Sequence, residues 1–265
     1  MQIPAITRFA RFLCLSTVLA VPAAWASNHT DFASANDRFA VLMLHAKPET
    51  GLPKMSDPAV SKIFATVTDG ARLFAQPDAG LNNLQTSLAI CQQVTGYAQY
   101  YQRFGMDRLA SLAGDELQQA QRKQVDENLA NYGNEMSALF AFVVHCNTHL
   151  IGLMEAERQT EPAEAATPEG QERLHDFSVN TARAYAGLVQ FVAVPFWTVP
   201  QKKVMIEASA QHAAVNVAVM KPAMRQALLA SLADVDAGLD PSLAAPLATV
   251  RQALASTACT GLCEY

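Results

Sequence analysis

Apolar residues recur every three or four positions along most of this chain, and strict alternation is rare, so the pattern predicts helices, not strands. The clearest run is Val125, Leu129, Tyr132, Met136, Leu139, Val143, Cys146, Leu150 and Leu153, stepping alternately by four and three. Four heptads in one phase predict a long helix, from as early as Asp115, with a seam that packs on another helix. Ser56-Asp57-Pro58 has the form of a helix start, a capping hydroxyl followed by an acid and a proline, and predicts a helix to about Phe74. After the break at Gln76-Pro77-Asp78-Ala79-Gly80 a second helix is predicted over 81–104. Thr167-Pro168 opens a further one in the same manner.

That helix leads into 184–199, sixteen residues without a charge, interrupted by Gln190 and Pro195. It is too short to span a bilayer comfortably and predicts the buried centre of a bundle. Prolines then punctuate helices expected over 201–220, 223–236 and 242–256. Residues 27–45 are ambiguous, since 39–44 fits either a helix end or a short strand. The fold class is all-α, a multi-helix bundle of about six to eight helices behind a cleaved signal peptide.

The first 26 residues supply that leader. Arg8 and Arg11 form a positive region, 12–21 an uncharged one, and Ala24-Trp25-Ala26 a small-x-small cleavage pattern. Cys14 lies inside the apolar stretch without the small residue that precedes a lipidated cysteine. The expected mature chain starts near Ser27, in the periplasm or outside the cell, without a stable membrane anchor. The parts are then 1–26, an N-terminal helical part 27–158, an acidic Ala/Pro linker 159–170 and a C-terminal part 171–265, the last packed on the first as one composite domain.

Charge narrows the partners. Removing Arg8 and Arg11 leaves 17 basic against 24 acidic residues, a formal charge of −7. No Lys/Arg cluster remains to track a phosphate backbone or an anionic lipid surface, which argues against nucleic acid.

Four cysteines follow the leader: Cys91, Cys146, Cys259 and Cys263. An even number in an oxidising compartment predicts disulfides, with three connectivities open. Cys91 can meet Cys146 if the chain reverses at Asn131-Tyr132-Gly133-Asn134. A continuous helix hairpinned level with its neighbour staggers them by roughly 27 Å at 1.5 Å per residue. The unbroken heptad favours continuity and the tetrapeptide favours the turn. Cys259-Thr260-Gly261-Leu262-Cys263 is CxxxC, so a structural bridge is the first reading and thiol exchange the second.

Candidate chemistry is sparse. His145 and His149 share a helical face at i and i+4, and His212 offers a third nitrogen, a set suited to a transition metal ion. Cys146 lies on the seam and diverges from them. There is no HExxH, no phosphate loop and no GxSxG elbow, so no catalytic residue is nominated and no cofactor is required. Phe191, Phe196 and Trp197 are the candidate ligand-contacting side chains of 184–199. The expected function is a helical binding or interaction protein whose partner is an envelope or extracellular protein or a small apolar molecule. Metal binding through His145/His149 is the alternative. A third reading is a sensor or secretion-related interaction module that dimerises through the 125–153 seam.

Overall fold

Capping side chains start the helices, and prolines at their first positions keep them from extending backwards. Asp57 accepts from Ala59 N at 2.9 Å, Thr167 from Gly170 N at 3.0 Å, and Asp240 from Ser242 N at 2.9 Å. Each is followed by proline. The cap at the first of these sites is Asp57, where Ser56 was expected.

The computed structural model of the chain describes residues 27–75, 81–236, 239–256 and 258–265. The predicted leader and the predicted break at 76–80 lie outside them. The described residues hold eleven α-helices and no strand: α1 Ser27–His45, α2 Pro58–Thr68, α3 Gly70–Leu73, α4 Leu84–Arg103, α5 Gly114–Thr160, α6 Pro162–Ala165, α7 Pro168–Gln190, α8 Val199–Gln211, α9 Ala213–Ala218, α10 Pro222–Ser231 and α11 Pro241–Leu254. Eight of these have ten residues or more. The ambiguous 27–45 segment is helix throughout.

The central element is α5. The chain does not reverse at Gly133, yet Cys91 and Cys146 are bridged, with Cα atoms 5.7 Å apart. The expected stagger fails because α4 and α5 do not start level. Asn128 Nδ2 donates to the carbonyls of Gln102 and Phe104, at 3.0 and 2.9 Å, so the end of α4 lies beside Asn128. The first 14 residues of α5 therefore overhang α4 by about 21 Å. Segment 104–113 returns along that overhang, with Gly105 in the left-handed region (φ 79°) beside Gln124. The Asn-Tyr-Gly-Asn signal survives as a kink at Tyr132 (φ −132°, ψ 17°). Gly133 there admits the Gln201 amide, whose Nε2 would lie 2.5 Å from any Cβ.

Core residues surround α5. One cluster packs Phe39, Phe64, Val94 and Tyr101 of α1, α2 and α4 against Met136, Leu139 and Phe142. The other packs Leu174, Tyr185, Ile206, Leu247 and Val250 of α7, α8 and α11 against Val144, Ile151 and Met154. Most of the heptad seam packs within the chain: Tyr132, Met136, Leu139, Val143, Cys146 and Leu150 are buried, while Val125, Leu129 and Leu153 are half-buried.

Three predicted elements are interrupted or extended for visible reasons. The 56–74 helix breaks at Asp69, which caps α3 by accepting from Arg72 N at 3.0 Å. The expected helix through 184–199 ends at Gln190. Val194 is extended, as a residue before proline prefers, and Thr198 and Gln201 form a capping box that starts α8 afresh. The acidic run 155–168 is mostly helical, comprising the end of α5 and α6. It is tied to α7 by Arg173, which pairs with Glu157 at 2.7 Å and Glu164 at 3.5 Å.

Candidate functional site

The break between α8 and α9 falls at His212 (φ −110°, ψ 12°) and turns its imidazole toward α5. His212 Nε2 and His145 Nδ1 lie 2.9 Å apart, sharing one hydrogen between two perpendicular rings. Burial, together with the neighbouring His212, pushes the His145 pKa down to about 4, against a weaker pull upward from Asp69. Burial also lowers that of His212.

His149 belongs to a different contact. Its Nε2 reaches the Leu81 carbonyl at 3.0 Å and Ser87 Oγ at 3.1 Å, and its ring stacks on Phe74 at 4.5 Å. Since a carbonyl only accepts, that nitrogen carries the hydrogen. Burial lowers the His149 pKa, and the Leu81 bond opposes the shift. The predicted trio is thus divided: His145 with His212, and His149 with the start of α4. Cys146 is consumed by its disulfide. Among the described residues no group of three His, Cys, Asp or Glu side chains is placed to hold a metal ion. What the histidines do is join elements in their neutral form.

The aromatic candidates separate as well. Trp197 is 5 % exposed and packs on Phe191 and Phe140, with ring centroids at 5.5 and 6.1 Å, while Phe191 is half-buried. Phe196 points the other way and is 60 % exposed. Val194-Pro195 supplies the extended turn that parts these neighbours, one anchoring in the core and the other reaching solvent.

Phe196 forms one wall of a cleft of about 740 Å³ under the overhang of α5. Met106 and Val125 give it apolar surface. Gln118 and Gln121 give amide groups, and Arg103, Arg122 and Asp126 line its rim. Neither arginine forms an ion pair among the described residues. The cleft is cationic by one charge in a chain whose net charge is −5. The volume falls within the usual range of small-molecule sites, and a guanidinium fork matches a carboxylate.

Sequence reasoning reached Phe196 but missed Arg103, Met106 and Arg122. Their only signal was the ten-residue connection after α4, whose return along α5 brings the end of α4 against that helix. Compared with known families, with curated proteins and with solved structures, the chain matches none.

Proposed function

We propose that this chain is an extracytoplasmic binding protein whose ligand is a small amphiphile with an anionic head group and an apolar body. One observation carries the reading: an aromatic side chain left 60 % exposed in a cleft bordered by two guanidinium groups that form no ion pair among the described residues. An apolar body covers Phe196, Val125 and Met106, and the head group accepts from Arg103 and Arg122. Two disulfides are compatible with an oxidising compartment and support the extracytoplasmic setting.

Trp197 gives a direct test, because it is the only tryptophan in a chain produced from Ser27. Titration with dodecanoate is expected to change its fluorescence saturably. Arg103→Gln with Arg122→Gln should weaken that binding about tenfold or more, since charge-assisted hydrogen bonds contribute about 1.5–3 kcal/mol each. Dodecylamine should not bind. Equal binding of the amine and the carboxylate, or no effect of the double substitution, would remove the proposal.

A further inference from the structure

Arg225 on α10 is 2 % exposed and has no carboxylate partner among the described residues. Its Nε donates to Met220 O at 2.8 Å, and its Nη1 to Ser256 O at 3.0 Å and Ala258 O at 2.5 Å. Nη2 donates to Ala218 O at 3.2 Å and lies 3.7 Å from Cys263 Sγ. A buried cation is thus held by backbone dipoles and by one sulfur of the Cys259–Cys263 disulfide. Of the acidic side chains near the loop, Glu155 is already engaged by Arg158 and by Leu262 N–H, and Glu264, beside Cys263 in sequence, is exposed to solvent.

The two sulfurs are not equivalent. Cys263 is 1 % exposed, whereas Cys259 is half-buried. Thr260 and Leu262, between them, wall a cleft of about 310 Å³ that also holds Ile151 and Val219. Cys91 and Cys146 differ on both counts, being buried at 5 % and 1 % with no cation bonded to either sulfur among the described residues.

We propose that Cys259–Cys263 is a thiol–disulfide exchange site that accepts two electrons from an external dithiol. A thiolate of the dithiol attacks Cys259 Sγ, the bond to Cys263 Sγ breaks, and Cys263 leaves as a thiolate beside Arg225. The second thiol of the reductant, once deprotonated, attacks its own sulfur in the mixed disulfide. Cys259 departs and takes a proton from solvent. The dithiol becomes a disulfide, the protein holds one thiol and one thiolate, and one proton is released. Arg225 favours the reduced state because only there does it gain a full counter-charge. A thiol of lowered pKa is also the better leaving group.

The oxidised full chain is equilibrated in reduced and oxidised glutathione, and each cysteine is mapped by alkylation and mass spectrometry. Cys259 and Cys263 should become reduced in buffers that leave Cys91–Cys146 intact. Arg225→Met should shift the exchange constant at least tenfold toward the oxidised form, which is about 30 mV for a two-electron couple. In the reduced unmutated protein, alkylation of Cys263 should follow a titration below the ordinary cysteine value of about 8.5. That profile decides the matter alone if Arg225→Met does not fold. Reduction of both bridges together, an unchanged exchange constant in the variant, or a Cys263 titration at or above about 8.5 would overturn the proposal.

Discussion

Gly70 shows how single residues set the site-forming contacts. A Cβ there would sit 2.7 Å from His145 Cβ and 3.1 Å from a Phe142 ring carbon, both on the central helix. Only a bare backbone lets α3 lie against α5 and the His145–His212 pair form behind it. Gly70→Ala is therefore expected to destabilise by about 1–3 kcal/mol through overpacking, read as a lower midpoint in urea. This constraint was invisible in the sequence, where Asp69-Gly70 sits inside an uninterrupted helical pattern. Phe196 and Trp197 were legible as large apolar side chains, but not which would be buried. The choice between them depends on the extended backbone at Val194 and on what lies across from each ring. Arg225 gave no sequence signal, because its partners are carbonyls from two separate stretches of chain, 218–220 and 256–258.

At the scale of elements, neutral histidines hold α5 to its neighbours. His145 joins it to the α8–α9 break, and His149 joins it to Leu81 and Ser87 at the start of α4. Both, with His212, bind a proton less tightly in the folded chain than the ordinary value of 6.5. The unfolded chain thus holds more protons below pH 6.5. Stability falls as pH falls from there through about 4, where His145 itself becomes charged. His145 accounts for up to about 3 kcal/mol of that loss before its residual exposure screens the effect. Urea midpoints measured at pH 7, 6, 5 and 4 should fall steadily, and His145→Gln should flatten the slope. A slope identical in the variant would mean that other groups carry it. The i, i+4 spacing of His145 and His149 was read correctly as one helical face. It did not follow that one ion sees both, because the face is wide enough to meet two different elements.

For the molecule as a whole, α5 runs through both apolar clusters, and the Cys91–Cys146 bridge ties it to α4 within the first. Replacing both cysteines with alanine should cost about 4 kcal/mol in the chain-entropy model, given a sequence separation of 55. Unfolding followed by fluorescence and by circular dichroism should stay coincident, since neither cluster is complete without α5. The all-α class, the long helix and the proline-marked helix starts were legible because they depend on local spacing and capping. The relative slide of α4 and α5 was not, because it is set by Asn128 reaching carbonyls 24 and 26 residues earlier. That slide creates the overhang, and the overhang creates the cleft. The most direct test of the binding claim is an experimental structure of the protein with dodecanoate. The carboxylate should lie between Arg103 and Arg122, with the alkyl chain along Phe196 and Val125. A ligand-saturated structure with this cleft empty, or with the chain bound elsewhere, would contradict it.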